Sequence, residues 1–490
     1  MVVAPSLITI AKYGFLSLIV TSAGLLIGNI VVVKHHKQPE FADSLVYHKP
    51  DPISSESVRS VLGTNFDRCL TEPSKSFCLL GHKKRLLRAL EQLENSPGPP
   101  NASPTEPTLH PIHKELLELG KLLASLKTAP VLLEPSMLYC LLSPSNKLYL
   151  IKKGFNPYKF QGSRKVVTLG IFEKDVRILD QESVLSSFAL AGYNITRSRQ
   201  WLRTDEKDIK YLTAHYFLAR DDCTVHLVVI FKRRKFMRIA GLAEDDDGFR
   251  DLLFTKEATF ENLTAETLSI ETSPDLKISI PSTPVWFLYQ IPGSDFVHCT
   301  GTELMNPSIK AHPWLTPAQM ENRALVAIQE LKNLLYPQFI SFWLWTETLT
   351  GWSEACNIYS KTYELNVAVS YREIKGTNLT SLLANSDYLN ILLDTRLESR
   401  NTTEDVHMNI ALDCYGLRVN VFICFEEREL AVSYFSTDEG AVYRVTRSKF
   451  QLCSSEVLGQ RLQVPCDAKP EFNWELIYEA PYNKNTTLND

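Results

Sequence analysis

The sequence predicts an α+β fold that a single N-terminal helix attaches to a membrane. Three observations predict it: an uncharged apolar run near the N-terminus, short β-type runs flanked by turn residues in the middle, and alternating helical and strand periodicities towards the C-terminus. With 490 residues, 44% hydrophobic and 22% charged, the chain is long enough for two globular domains and accessory segments. A net charge of -4 creates no positive field, so nucleic acid is not predicted as a partner.

Residues 13–33 form the predicted transmembrane signal anchor, after a short cytoplasmic tail at residues 1–12. This run has no charged side chain and, at about 1.5 Å per residue, spans the roughly 30 Å hydrocarbon layer of a bilayer. A cleaved signal peptide is the alternative, but the run is longer than the usual apolar core of about 7–15 residues. Lys12 competes with Lys34 and Lys37 under the positive-inside rule, so the orientation has to come from other features.

Glycosylation triplets and cysteines supply that orientation. Ten cysteines are scattered along the chain without a Cys-x-x-Cys or paired-histidine zinc spacing, which favours structural disulfides in an oxidising lumen. Buried free thiols in a cytosolic protein are the alternative. The predicted N-glycosylation sites are Asn194, Asn262, Asn378, Asn401 and Asn485. We therefore expect a single-pass type II glycoprotein whose large region lies on the lumenal side.

Residues 34–127 are predicted to be a stem. Two leucine stripes at helical spacing flank a proline-rich linker, and the second stripe consists of Leu116, Leu119, Leu123 and Leu126. A dimerising coiled coil is one interpretation. Helices packed on the body of the protein are favoured, because the second stripe lasts less than two heptads.

Residues 128–305 are predicted to be a mixed α and β lumenal domain. Short runs rich in branched and aromatic residues are separated by turn residues or charges. The basic run Lys232-Arg233-Arg234-Lys235 is predicted to be an exposed turn. The predicted strands are 131–133, 148–152, 166–171, 224–231 and 278–280.

Residues 306–490 are predicted to be a second unit that begins with a helix. Thr316, Pro317 and Gln319 form a capping box with proline at the first helical position, and Pro337 ends the helix. A strand at 339–345, a loop at 346–352, a strand at 364–369 and a hairpin of 406–412 with 417–425 are expected to follow. This order can bring polar groups of separate strands together at one end of a small sheet.

The common catalytic signatures of hydrolases, kinases and dehydrogenases are missing from the sequence. A different set of polar residues stands out. Thr362, Glu364 and Asn366 alternate and are predicted to point to one face of a strand, and Asn420 is the lone polar residue among Val419, Val421 and Phe422. These residues are the candidate site.

Several motifs around that candidate site resemble the C-terminal domain of the fukutin family and, more distantly, the LicD-type phosphotransferases. Weaker matches run through the preceding domain, and the anchor and stem fit the type II layout of that family. The Trp-rich C-terminal tail expected of the family is not found after Tyr478. The motifs are Phe342-Trp343-Leu344, Thr350-Gly351-Trp352, Cys356-Asn357-Ile358, Ser360-Lys361 and Phe425-Glu426-Glu427.

The resemblance implies a nucleotidyltransferase-like domain at 306–490 that transfers ribitol 5-phosphate from CDP-ribitol to an O-mannosyl glycan in the Golgi. It also implies two divalent cations, Mg²⁺ or Mn²⁺, held by an Asp-x-Asp pair and a third Asp. Here Thr362, Glu364 and Asn420 stand at those three positions, so they are the catalytic candidates, and Glu364 and Asn420 are the metal candidates. Only one of three carboxylates remains, which weakens a hard-cation site.

Other residues carry two interpretations each. The resemblance implies that Gly351, Trp352 and Arg418 bind the donor, but a tight turn, a core tryptophan and a solvated strand arginine explain them as well. Glu364 alone fits an ordinary, half-exposed strand carboxylate. Replacement of the missing metal ligands by Glu347, Glu354, Asp413 or Glu426 is not predicted by their spacing.

Two functions therefore remain open. The first is a metal-dependent fukutin-like Golgi phosphotransferase with a degraded metal motif, acting on a CDP-alditol donor and an O-mannosyl glycan acceptor. The second is a catalytically inactive fukutin-like protein that binds a glycan, a nucleotide-sugar or a partner enzyme. Both place the chain in the Golgi membrane, with the ER as the alternative, and both allow a complex with other glycosyltransferases.

Overall fold

Two large β-sheets organise the part of the chain that the structure describes. The computed structural model describes residues 119–123, 129–156, 166–203, 209–221, 223–242, 253–261, 263–270, 273–301, 309–397, 406–437, 441–467 and 471–478. The predicted tail, the anchor at 13–33 and the stem up to residue 118 lie outside these residues. Among the described residues, no helix is both long and apolar enough to cross a membrane.

The first sheet combines antiparallel hairpins with parallel pairs. Its strands are β1 (Val131–Leu132), β2 (Val166–Phe172), β3 (Asn194–Arg203), β4 (Ile209–Arg220), β5 (Cys223–Arg233), β6 (Phe236–Ile239), β7 (Ala258–Glu261), β8 (Ala265–Ile270) and β9 (Ser273–Pro281). The order is β3-β4-β5-β2-β1-β9-β8, and β6 pairs with β5 and β7. The helices are α1 (Pro135–Leu141), α2 (Pro144–Lys152), α3 (Glu173–Leu179), α4 (Glu182–Leu190) and α5 (Pro284–Gln290).

The second sheet carries the candidate site. Its strands are β10 (Phe342–Leu344), β11 (Leu365–Ser370), β12 (Asn390–Leu397), β13 (Val406–Cys414), β14 (Leu417–Glu427), β15 (Leu430–Ser436), β16 (Val442–Ser448), β17 (Leu452–Val457), β18 (Gln460–Pro465) and β19 (Asn473–Tyr478). The order is β17-β18-β10-β11-β14-β15-β16-β19, with β13 between β14 and β12. The helices are α6 (Pro317–Leu335), α7 (Thr346–Ala355), α8 (Tyr371–Ile374) and α9 (Leu379–Leu383).

Helix α6 begins at Pro317, which confirms the predicted helix start. The Thr316 hydroxyl accepts a hydrogen bond from the Gln319 backbone N–H, the Gln319 side chain accepts from the Thr316 N–H, and Pro317 occupies the first turn. Its apolar side, including Ile328, Leu331 and Leu335, is buried in the core of the second sheet. The result is a rigid support under β13 and β14.

Three local predictions were wrong. Residues 148–152 lie in helix α2 rather than in a strand, because Ser143 caps the preceding turn and Pro144 opens the helix. Residues 346–352 belong to helix α7 rather than to a loop. The strand predicted at 339–345 is limited to β10, because Phe339 adopts a left-handed conformation, with φ of 52°, after a short 3₁₀ turn.

Buried charges and hydrogen bonds connect the two sheets. Lys332 on α6 donates to Glu261 on β7 over 2.5 Å, and both side chains are buried. Arg461 on β18 donates to the Thr259 backbone carbonyl of β7. A buried pair is costly to break because removing one partner leaves an uncompensated charge. These contacts therefore fix the two sheets against each other.

Two disulfides and two glycosylation triplets, among the features from which a lumenal location was predicted, fall within the described residues. Cys299 pairs with Cys356 and Cys453 pairs with Cys466, which confirms the disulfide prediction for these four cysteines. Asn194 and Asn378 are exposed, as a glycan acceptor requires. Asn262, Asn401 and Asn485 lie outside the described residues. Leu119 and Leu123 of the second leucine stripe are fully buried, which agrees with helices packed on the body.

Candidate functional site

Strand pairing in the second sheet brings the predicted polar residues together. Strands β11 and β14 run parallel, and Asn366 pairs directly with Asn420. Paired residues on neighbouring strands point to the same face, so the two amide side chains lie side by side. Both are buried, at 4% and 1% exposure. The opposite face of these strands consists of valines and leucines that pack into the core under α6.

Asn420 is the centre of a hydrogen-bonded network. Its Nδ2 donates to Glu364 Oε2 over 2.7 Å and to Asn366 Oδ1 over 2.8 Å. Its Oδ1 accepts from Arg418 Nε over 3.2 Å. Both ends of the amide are therefore occupied, and the arginine on one side fixes which way the amide points.

Glu347 joins this network, although its sequence spacing did not predict it. Asn366 Nδ2 donates to Glu347 Oε2 over 3.2 Å. Glu347 lies in the first turn of α7, a favourable place for a carboxylate because the helix N-terminus carries partial positive charge. The antiparallel pairing of β10 with β11 brings this turn next to Asn366. Glu347 at the start of α7 is visible in the sequence, but no sequence pattern reveals the pairing of β10 with β11.

Thr362 and Thr348 shape the entry to β11. Thr362 precedes β11, as Glu364 does, because the strand begins at Leu365, so the prediction that both alternate with Asn366 along one strand was wrong. Its hydroxyl accepts from the Glu364 N–H over 3.1 Å. Thr348 Oγ1 accepts from the Asn366 N–H and donates to the Glu364 carbonyl. These contacts hold the backbone that presents Glu364 and Asn366.

A groove of about 530 Å³ begins at Arg418 and runs between β12 and the end of β15. Arg418 therefore connects the amide network with an open space of the size that small ligands occupy. Within the described residues, two buried polar atoms beside it have no hydrogen-bond partner, namely Thr395 Oγ1 and Asn409 Nδ2. Thr395 and Asn409 are cross-strand partners. The residues lining the groove are Leu392, Leu393, Asp394, Thr395, Arg396, Arg418, Ser436 and Thr437.

The network does not fit the two divalent cations that the family resemblance implies. Hard cations need several oxygens at about 2.0–2.6 Å, but an N–H₂ group of Asn420 occupies the point where the Glu364 and Asn366 oxygens converge. Turning the amide around would place its nitrogen against the Arg418 donor. Within the described part of the chain, no three His, Cys, Asp or Glu side chains cluster as a metal site would require.

The remaining candidates lie elsewhere. Gly351 is buried within α7, and a Cβ there would lie 2.7 Å from the Asn357 carbonyl oxygen, so its role is close packing. Trp352 is buried in the core below the second sheet. Two further arginines of the second sheet, Arg444 and Arg447 on β16, form ion pairs with Glu427 and Asp467. Neither Gly351 nor Trp352 lines the groove at Arg418.

The three other carboxylates considered as replacements also have separate roles. Glu354 pairs with Lys361 at the far end of α7, and Glu426 pairs with Lys449. The Asp413 carboxylate accepts from the Gly416 N–H in the hairpin turn. Glu347 is thus the one of the four that the structure brings to the site.

Comparison with known proteins agrees with the family resemblance of the sequence motifs. The chain is 23% identical over 289 residues to ribitol-5-phosphate transferase FKTN of Homo sapiens, and 22% over 289 residues to that of Macaca fascicularis. Each match covers 54% of this chain and 59% of the relative. The Mus musculus protein is 21% identical over 309 residues, covering 58% and 64%.

No family model matches the chain. The chain spans less than two thirds of the length of the curated relatives it matches. At this identity the comparison supports a distant, fukutin-like relationship, and the chain is similar to proteins named as ribitol-5-phosphate transferases.

Proposed function

We propose that this chain is a fukutin-like membrane protein of the Golgi that binds a ribitol-phosphate compound without a divalent-metal centre. One observation carries the proposal: the Asn420 amide nitrogen fills the convergence point of Glu364 and Asn366, with Arg418 fixing its direction. The site therefore has amides where the family resemblance implies anionic metal ligands.

The ligand chemistry follows from the groove at Arg418. Arg418 and Arg396 can meet a phosphate, since guanidinium groups bind phosphate oxygens through charge-assisted hydrogen bonds. Thr437, which is partly exposed, offers a hydroxyl to a polyol. This combination supports CDP-ribitol or a ribitol-phosphate-bearing O-mannosyl glycan as ligand.

The location and partners are part of the same proposal. A type II anchor at 13–33, disulfides and exposed glycosylation triplets support a lumenal protein of the Golgi, with the ER as the alternative. A protein that binds the substrate without transferring it acts through an enzyme. Other glycosyltransferases of the same membrane are therefore its proposed partners.

The rival function is transfer of ribitol 5-phosphate with Mg²⁺ or Mn²⁺. The specific observation in its favour is the similarity to relatives named as transferases, together with two carboxylates, Glu347 and Glu364, in one network. The rival requires the Asn420 amide to leave its present position. It therefore predicts that a divalent cation changes ligand binding, whereas the metal-free proposal predicts that it does not.

Calorimetric binding of CDP-ribitol to the purified full-length chain, with and without Mn²⁺, separates the two functions. We expect binding that is independent of Mn²⁺, that weakens at least tenfold in Arg418→Ala, and that changes little in Glu364→Ala. Arg444→Ala is the matched control, because it removes an arginine whose partners are Glu427 at the end of β14 and Glu475 on β19. Metal-dependent binding that disappears in Glu364→Ala would establish the transferase instead.

A further inference from the structure

In the basic run 232–235 of the first sheet, the two arginines form ion pairs with a carboxylate, and the two lysines form none within the described residues. The run closes a two-residue turn between β5 and β6, in which Arg233 pairs with Phe236 across the hairpin. Arg233 Nε and Arg234 Nη1 each contact a carboxylate oxygen of Glu456 on β17 at 2.7 Å. The run was predicted to be an exposed turn, which is confirmed for Arg234 and Lys235, whereas Lys232 and Arg233 end β5. Arg233 and Arg234 also fasten the hairpin to the second sheet.

Lys232 and Lys235 have no such role. Both side chains are exposed, and neither makes an ion pair within the described residues. Both line a groove of about 480 Å³ whose floor is apolar. Phe236 and Leu263 are buried in that floor, and the Phe172 ring is half-buried beside them. The other lining residues are Met237, Thr264 and Ala265.

Two lysines of the basic run line this groove, and its two arginines contact the Glu456 carboxylate. Behind the groove, burial lowers the pKa of Lys332, the Glu261 carboxylate opposes that change, and Arg461 and Lys235 add to the lowering through cation repulsion. The whole chain carries a net charge of -4, so an anion site has to depend on a local pair of cations such as Lys232 and Lys235.

We propose that the groove beside the β5–β6 hairpin binds an organic phosphate, with Lys232 and Lys235 holding the phosphate and the apolar floor holding its carbon body. A cavity of this size accepts a small ligand. The phosphate neutralises two lysines that make no ion pair within the described residues, and the apolar body removes Phe172 and Met237 from water. This site lies in the first sheet and is separate from the groove at Arg418.

Calorimetry with phenyl phosphate, hexyl phosphate and inorganic phosphate on the full-length chain tests this site. Phenyl phosphate represents an aromatic source such as a nucleotide, and hexyl phosphate an aliphatic source such as a lipid. The protein is enzymatically deglycosylated first, because Leu263 and Thr264 belong to the predicted glycosylation triplet at Asn262. We expect at least one ester to bind at least tenfold more tightly than inorganic phosphate.

Matched variants assign the binding to the groove. Lys232→Ala/Lys235→Ala is expected to weaken ester binding at least tenfold, and Lys232→Arg/Lys235→Arg to retain it. The control Lys256→Ala/Lys375→Ala removes the same charge from exposed positions outside the groove. Ester binding that survives in Lys232→Ala/Lys235→Ala and is lost in Arg418→Ala is assigned to the groove at Arg418, so the ribitol-phosphate proposal and this one are tested separately. Equal binding of all three phosphates, no binding, or full binding by the Lys232→Ala/Lys235→Ala variant would overturn the proposal.

Discussion

Replacing Asn420 with aspartate tests whether its amide nitrogen holds the site together. The substitution keeps the shape of the side chain and exchanges the N–H₂ donor for an oxygen. That oxygen would face Glu364 Oε2 and Asn366 Oδ1, which now accept hydrogen bonds at 2.7 and 2.8 Å. Arg418 can still donate to the other oxygen of the new carboxylate. The variant therefore converts two attractive contacts into two repulsive ones.

The expected loss of stability follows from those contacts. The hydrogen bond to the Glu364 carboxylate contributes about 1.5–3 kcal/mol and the one to Asn366 about 0.5–1.5 kcal/mol. Two carboxylates about 4 Å apart near a protein surface repel by up to about 4 kcal/mol, and the Arg418 charge offsets part of this. We expect the free energy of unfolding to fall by at least about 3 kcal/mol near neutral pH. Protonation of the carboxylate pair should restore part of it at acid pH.

Urea denaturation of the full-length chain and Asn420→Asp at pH 7.5 and pH 5.5, each with and without Mn²⁺, measures this. A divalent cation should stabilise the variant, because it neutralises the paired carboxylates, and should leave the natural sequence unchanged. Asn390→Asp is the control, since it adds the same charge at an exposed position. The reasoning is refuted if Asn420→Asp is as stable as the natural sequence at pH 7.5, or if Mn²⁺ stabilises both equally.

Three further predictions concern the body of the protein. Burial raises the pKa of Glu373 from 4.5 to about 6, so the folded form binds this proton more tightly. The contribution of Glu373 to the free energy of unfolding is therefore largest below pH 4.5 and falls by about 2 kcal/mol as the pH rises through 6, and Glu373→Gln should flatten that part of a pH series of urea melts. Lys332→Met should cost about 3–5 kcal/mol in unfolding free energy because Glu261 stays buried without a partner, and a double-mutant cycle with Glu261→Met should recover most of it. Gly351→Ala should lower the melting temperature, at a cost of about 1–3 kcal/mol, because the added Cβ would meet the Asn357 carbonyl oxygen at 2.7 Å, whereas Gly376→Ala meets no atom within 4 Å but is strained by its φ of +84°.

Elements with complete local signals were predictable from the sequence. Helix α6 carries its cap, its proline and its apolar stripe in one continuous segment, and all three act locally. The β13–β14 hairpin was also predicted, and its turn is the two residues Tyr415 and Gly416, both with positive φ. Strands β3 and β4 were missed because their mixture of charged and apolar residues hides the alternation. Their pairing, which is a long-range property, creates them.

Part of the candidate site was predictable, because some of its residues carry a local signal and others depend on long-range strand pairing. Glu364, Asn366 and Asn420 stood out because polar residues interrupt apolar strands, and that signal is local. Glu347 did not stand out, because a glutamate in the first turn of a helix is ordinary. Its role depends on the pairing of β10 with β11, which the sequence does not state. The cavity at Arg418 likewise depends on where β12 and β15 end.

The order of the hydrogen-bonded side chains decides how a ligand would lie in a metal-free site. The row runs from Glu347 through Asn366 and Asn420 to Arg418, so it is acidic at one end and basic at the other. Without cations, a phosphate is repelled at the Glu347 end and attracted at the Arg418 end, where the groove opens. The phosphate of a bound ribitol phosphate is therefore expected at Arg418, with its hydroxyls towards Glu364. Binding of ribitol phosphate to Glu347→Gln and Arg418→Ala tests this orientation. It is contradicted if Glu347→Gln improves phosphate binding by a larger factor than Arg418→Ala weakens it.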